Sequence, residues 1–283
     1  MIASRARSSA RWVLQSVPGV AMRTKLIAER LALARTAPVP LAGSTALRRA
    51  ADLPRLEDAR VDRAWASARA EIAAFTLPDG TGGMNPGDRR AVYYLAALLR
   101  PSSVLEVGTH IGASTVHLCA AMREHSPSPN RRLLCVDVRD VNDPGSRPWR
   151  EYGASHSPRE TTARLGCAGF VQFVARPSLE VLREAGETFD LVVLDGDHSA
   201  RAVYLEVAAA LRLVAPGGVI LLHDYFPDLR PLWRNGAVIP GPWLAMQRLR
   251  AEGLDALVHP LGALPWPTKD GSSITSLAVL LRA

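Results

Sequence analysis

Three cysteines stand in 283 residues, at positions 119, 135 and 167, and no two form a C-x-x-C pair. An odd, scattered set argues against a disulfide framework and a cysteine zinc site, and suits a reducing compartment. The expected location is the cytoplasm. No apolar run approaches the roughly 20 residues that span a bilayer, so no membrane-spanning helix is expected. Acids are almost missing from the first fifty residues, where Glu29 stands alone among nine Arg and Lys. The remaining chain lies within one charge of neutral, so the net charge of +7 describes a tail more than a body. Such a tail is either a solvated basic helix or a weak peripheral contact for an anionic membrane through residues 1–50. A nucleic acid partner is not expected. The tail resembles an export signal only loosely, because it has no compact apolar stretch and no small-residue cleavage site. No internal repeat is present.

The length allows one or two domains with a sizeable core. Residues 1–36 read as an amphipathic helix carrying Trp12, Val13, Leu14, Val17, Leu26, Ile27, Leu31 and Leu33, and Ala-Pro-Val-Pro at 37–40 ends it. A second helix is expected over 55–75, a glycine-rich loop over 78–87, and a helix over 89–99 that Pro101 closes. Short apolar strands then alternate with helices. Strands are expected near 103–107, 132–137, 170–174, 190–195 and 217–223, with helices near 113–124, 159–166, 178–185 and 199–214. A helix over 242–252 and two late strands, 255–259 and 274–281, follow. That alternation implies a parallel sheet covered on both faces.

The most informative stretch is Val104-Leu105-Glu106-Val107-Gly108-Thr109-His110-Ile111-Gly112, a buried strand running through a glycine turn into a helix. Its glycines let backbone approach a ligand, and the helix start offers free N–H groups. The spacing is E-x-G-x-x-x-G. A dinucleotide turn would be G-x-G-x-x-G; here Glu106 replaces the first glycine. A carboxylate there suits hydroxyls or a positive charge better than phosphates. S-adenosylmethionine (SAM), a sulfonium bearing an amino acid and a ribose, fits.

In open sheets, ligands bind at the carboxyl ends of the strands, and the polar clusters fall there. Asp137 ends the second strand, where an acid can accept both ribose hydroxyls. Asp195-Gly196-Asp197-His198 ends the fourth, and His223-Asp224 ends the fifth after Pro216-Gly217-Gly218. Asp195, His223 and Asp224 would converge as a divalent metal site. Mg²⁺ prefers oxygen donors, whereas a histidine ligand shifts preference toward Mn²⁺, Fe²⁺, Co²⁺ or Zn²⁺. His223 reads either as a ligand or as a histidine that orients one.

With these residues in view, the chain resembles the class I SAM-dependent O-methyltransferases, similar to the catechol and caffeoyl-CoA enzymes and above all to bacterial relatives with D-G-D-H and a later H-D-Y. The resemblance runs from about Gly83 to the C-terminus, roughly two thirds of the chain. It implies a Rossmann-like doubly wound α/β fold: a mostly parallel seven-stranded sheet with an antiparallel last strand. Residues 1–78 would form a basic helical extension and 79–283 the methyltransferase domain. Met84-Asn85-Pro86-Gly87-Asp88 resembles the M-N-x-G-D entry segment that packs over the cofactor. Glu106, Gly108, Thr109 and Gly112 match the cofactor loop, and Asp195 matches the first metal ligand, placed beside the cofactor as well. His223-Asp224 matches the pair that completes the metal site, with histidine replacing an acid or amide. His198 occupies the place of the family's catalytic lysine. A free imidazole titrates near pH 6.5 and can take a proton directly near neutrality.

Ser114 can touch the SAM carboxylate, and His110 lies in the same loop. Ser178 follows the third strand, at the adenine edge, but the acid expected there is absent and Arg176-Pro177 stands instead. Trp149, Tyr152 and His156 lie in a long loop, 139–158, of the kind that forms lids or substrate walls. Trp233, Trp243 and Trp266 read either as acceptor pocket or as core. The expected activity is transfer of a methyl group from SAM to a hydroxyl of a small molecule, a catechol-like phenol or a natural-product sugar, with metal assistance. The sequence leaves room for a homodimer. The rival readings are a nicotinamide oxidoreductase and a non-catalytic membrane-associated binding protein.

Overall fold

The computed structural model describes residues 18–282; Trp12, Val13, Leu14 and Val17 of the expected first helix lie outside the described residues. Seven strands form one sheet: β1 (Ser103–Val107), β2 (Arg132–Asp137), β3 (Val171–Ala175), β4 (Phe189–Leu194), β5 (Val214–Leu222), β6 (Leu257–Pro260) and β7 (Ala278–Leu281). Their order is β3-β2-β1-β4-β5-β7-β6. The first five run parallel, and β7 is antiparallel to both of its neighbours. This is the expected doubly wound arrangement with one reversed strand. The order turns outward in both directions from β1, which opens a crevice between the ends of β1 and β4.

Nine helices are described: α1 (Pro18–Ala34), α2 (Ala59–Ile72), α3 (Pro86–Leu99), α4 (Ala113–His125), α5 (Pro148–Glu151), α6 (Pro158–Arg164), α7 (Ser178–Glu184), α8 (Ala200–Ala210) and α9 (Gly241–Ala251). Successive strand residues point to opposite faces, so each strand feeds two cores. Val104, Leu133, Leu191 and Val219 pack with Trp65 of α2 and Tyr93 of α3. Leu105, Val136, Val192 and Ile220 pack with Tyr204 of α8, Leu244 of α9 and Leu33 of α1. The near-continuous apolar strands are thus explained by burial on both sides.

The basic N-terminal segment is docked on the second of these layers. Glu29 accepts the backbone N–H of Ala200 at 2.7 Å and so caps the start of α8. Arg248 of α9 donates to the carbonyls of Leu33 and, at 2.8 Å, Thr36. The Val39 N–H meets the Tyr204 hydroxyl at 3.1 Å. Leu47 and Arg49 form isolated parallel bridges to Gly218 and Arg282. Ile27 and Leu31 are left exposed on the outer side of α1.

Several boundaries differ from expectation: β6 and β7 start at Leu257 and Ala278 rather than at 255 and 274, and two other shifts have a visible cause. The strand expected over 217–223 begins at Val214, because Pro216-Gly217-Gly218 is an irregularity inside β5 rather than a turn before it. The helix expected from 89 begins at Pro86, where the Asn85 side chain accepts the N–H groups of Gly87 and Asp88, each at 3.0 Å. The loop expected over 139–158 carries α5 within it.

Candidate active site

The turn after β1 is built around residues with positive φ. Gly108 has φ 90°, and a Cβ there would run into the Asp195 carbonyl and Gly196 at the end of β4. Only glycine lets the ends of β1 and β4 approach this closely. Gly112 caps α4 with φ 77°, and no side chain caps the helix. Asp137 at the end of β2 holds the turn from the side: one oxygen accepts the His110 N–H at 2.9 Å and the other the Arg139 N–H at 3.0 Å. The His110 ring lies edge-on to Tyr152 with centroids 4.3 Å apart.

A cavity of about 650 Å³ opens above this turn, within the size range of small-molecule sites. Met84, Gly108, Thr109, Ser114, Asp137, Ser178, Asp195 and His198 line it, as do the unpredicted Arg201 and Glu206. Glu106 is completely buried and sits beneath the turn rather than in the cavity wall, so it supports the loop instead of facing a ligand. Its oxygens accept the hydroxyls of Ser114 at 2.6 Å and Thr115 at 2.5 Å. Asn85 likewise serves as the α3 cap. Trp233, Trp243 and Trp266 do not line the cavity. The Trp266 indole donates to the Gly87 carbonyl at 2.9 Å and its ring packs on Tyr94, which fixes the entry segment from behind. Trp149 packs with Ile111 and Ala113 under the turn, and His156 packs on Phe75.

Burial raises the Glu106 carboxyl from its usual range to about 7, against the lowering effect of its Ser114 and Thr115 hydrogen bonds. The folded chain therefore holds a proton that the unfolded chain releases near pH 4.5. Below that pH both states are protonated and nothing is lost; between about 4.5 and 7 stability falls as pH rises. Glu106→Gln is expected to gain stability over the wild type at pH 8 relative to pH 5, by on the order of 3 kcal/mol at most. Urea unfolding at the two pH values checks this; an identical difference at both would disprove it.

At the other side of the cavity, three strand-end residues meet. One donor atom each from Asp195, His198 and His223 lies within 4.8 Å of the others. His198 Nε2 is 3.5 Å from Asp195 and 3.6 Å from Asp224. The trio differs from the expected Asp195, His223 and Asp224 in that His198 takes the third place. Asp224 stands next to it, 3.7 Å from His223 and in a left-handed conformation (φ 54°) that is costly for a non-glycine residue. His223 Nδ1 is buried 2.7 Å from Asp195 and makes no hydrogen bond. An orphaned ring nitrogen beside a carboxylate and a second imidazole fits a divalent transition metal. Burial disfavours charge on His223, but the carboxylates of Asp195 and Asp224 outweigh it and hold its pKa well above the usual value.

Asp88, fully buried in the first turn of α3, was not expected here. It accepts Thr275 at 2.5 Å and Asn85 at 2.7 Å, and lies 3.6 Å behind His223. Its neighbour Arg89 donates to the carbonyls of Met84, Leu77 and Pro78, which clamps the entry segment over the cavity. In the sequence Asp88 looks like an ordinary acid at a helix start, where the dipole favours one anyway.

A Rossmann-like sheet with a reversed strand beside its edge, a glycine turn after β1 and an acid closing β2 form an arrangement suited to a nucleoside. Comparison with known proteins narrows the class: a family model described as a methyltransferase domain matches residues 105–225. Over that stretch the chain is thus similar to methyltransferase domains. It is 28% identical over 176 residues to catechol O-methyltransferase domain-containing protein 1 of Mus musculus, covering 60% of this chain and 58% of that protein. It is 25% identical over 158 residues to a catechol O-methyltransferase of Niastella koreensis, 54% of this chain and 62% of that one. The chain therefore spans less than two thirds of these relatives. Among solved structures, the O-methyltransferase TomG of Streptomyces achromogenes, in complex with SAM, superposes with a TM-score of 0.50 at 21% identity, over 80% of this chain and 91% of that one. That likeness concerns the fold.

Proposed function

We propose that the protein transfers a methyl group from SAM to a hydroxyl of a small molecule, a phenol or a natural-product sugar. One observation carries the reading: a single cavity has the glycine turn and Asp137 on one side and Asp195 with His198 on the other. The sulfonium is already activated, so the chain has to align an oxygen with the methyl carbon, and alignment alone can supply several kcal/mol. His198 takes the hydroxyl proton on Nε2, and Asp195 and Asp224 beside it stabilise the resulting charge. Asp137 orients the ribose, and the free backbone N–H groups at the open start of α4 receive the carboxylate end. Asp195 and His223, with Asp224 beside them, would hold a divalent metal, which would lower the pKa of a coordinated hydroxyl and leave His198 free as the base. Against a nicotinamide oxidoreductase stand Glu106 in the place of a glycine and the reversed β7, where a dinucleotide fold continues in parallel.

The test has two arms. Titration calorimetry compares S-adenosylhomocysteine with NAD, and labelled SAM is incubated with phenolic, catecholic and sugar acceptors. Binding of the adenosyl compound with label transfer supports the reading. Binding of NAD alone, or label transfer to none of the acceptors, sinks it.

A second proposal concerns residues 1–50, read as a weak contact for anionic lipid. The exposed Ile27 and Leu31, set among Arg23, Lys25 and Arg30, support it. Sedimentation with phosphatidylserine vesicles is expected to carry the full chain down and to lose it at high salt. No difference between anionic and neutral vesicles would rule the contact out.

A further inference from the structure

Away from the reacting side, one part of the cavity wall is not used by the chemistry above. Val138, Pro177, Leu179, Ala202 and Leu205 make it apolar. Val138 is 72% exposed at its lip, an apolar side chain that the protein itself leaves uncovered. Two polar groups belong to this part of the wall. The Ser178 hydroxyl donates to Glu206 Oε1 at 2.5 Å, and the second Glu206 oxygen has no hydrogen-bond partner among the described residues. Glu206 lies mid-helix in α8, 3% exposed, on the face that also carries the buried Val203, Val207 and Ala210. A carboxyl on the apolar face of a helix costs desolvation that an alanine or leucine would avoid. Yet it is held in place by one hydroxyl and left with one oxygen open to the cavity.

Its position gives that oxygen an object. Asp137 pairs with Ala175 in register, so the ends of β2 and β3 lie side by side, about 5 Å apart. A nucleoside with its ribose at Asp137 and its sulfur toward His198 has its base directed at the segment after β3, between Val138 and Leu205. The acid expected after β3 is missing from the sequence. Arg176 stands there and turns away to Glu184 and Glu180 at 2.8 and 3.2 Å. α8 supplies the carboxyl instead.

We propose that Glu206, positioned by Ser178, forms the base-reading subsite of this cavity and accepts a hydrogen bond from the 6-amino group of the cofactor's adenine. The proposal rests on the SAM reading given above. Burial raises the Glu206 carboxyl to about 7, offset by the Ser178 hydrogen bond and reinforced by Asp197. Both the ionised and the neutral form keep an acceptor oxygen for the amino group.

The test compares S-adenosylhomocysteine with its analogue carrying purine in place of adenine, which lacks only the 6-amino group, by calorimetry at pH 8. The wild type is expected to prefer the adenine compound by about 10- to 100-fold. Glu206→Ala loses that preference. Glu206→Gln, whose amide oxygen still accepts, keeps most of it. Should the alanine variant fail to fold in a thermal melt, the nearly isosteric and apolar Glu206→Met makes the same measurement. If the alanine or methionine variant discriminates as the wild type does, the subsite is overturned while the cofactor reading stands. If the wild type binds neither compound, the cofactor reading falls and the subsite falls with it.

Discussion

His198→Ala is expected to slow methyl transfer by about 10²–10⁴-fold, the usual contribution of a positioned base, while affinity for S-adenosylhomocysteine stays within about threefold. The separation follows from geometry. His198 is about one fifth exposed and faces the cavity between Asp195 and Asp224, away from the glycine turn and Asp137 that would hold the cofactor. A histidine that takes a proton in the transition state acts on turnover and not on cofactor binding. Turnover equal to wild type at every pH would remove His198 from the mechanism. Full recovery on adding Mn²⁺ would make it a ligand instead of a base.

The second large effect is structural. Gly108→Ala is expected to cost about 3 kcal/mol or more, from a positive-φ penalty of about 1–3 kcal/mol and a similar penalty for overpacking. At this chain size that is a melting temperature lower by about 6–12 °C. The added methyl would push against the Asp195 carbonyl and Gly196, so β1 and β4 would have to part at the crevice. Binding of S-adenosylhomocysteine should fall in step, because the same displacement moves Thr109 and Asp195, both of which line the cavity. A variant that melts and binds like the wild type would show that the close approach is not needed. Gly236→Ala is a useful contrast, since nothing lies within 4 Å of its missing Cβ although its φ is 68°.

The sequence disclosed the sheet well where physics leaves little choice. β1 and β2 occupy 103–107 and 132–137 as read, because runs such as Val104-Leu105 and Leu133-Leu134 end in polar or glycine residues. β5 was read three residues short, since Pro216-Gly217-Gly218 carries every local mark of a turn and only pairing with β4 makes it strand. α5 escaped notice because four residues cannot show a helical period. The strand-end rule pointed to Asp137, Asp195 and His198, which line the cavity, and to His223 beside Asp195. It could not find Asp88 or Glu206, which reach the site from helices. A signal for Glu206 did exist: a lone acid in Val203-Tyr204-Leu205-Glu206-Val207, on the side of α8 that apolar spacing assigns to the core. Glu106 was legible as special but misread in direction. Its burial under Ser114 and Thr115 depends on how α4 leaves the turn, which spacing alone does not encode.

Glu29 gives the N-terminal segment a stake in the chemistry. The single acid among the first fifty residues caps α8, whose next turns carry Arg201, Leu205 and Glu206 along the cavity wall. One helix thus answers to two clients. Whatever firms its first turn from outside also steadies the wall inside, and a bound nucleoside returns the favour to the docked segment in equal measure, because such coupling is reciprocal. A chain whose tail has been drawn off to another surface would hold a nucleoside in that cavity less well, with no residue in it changed.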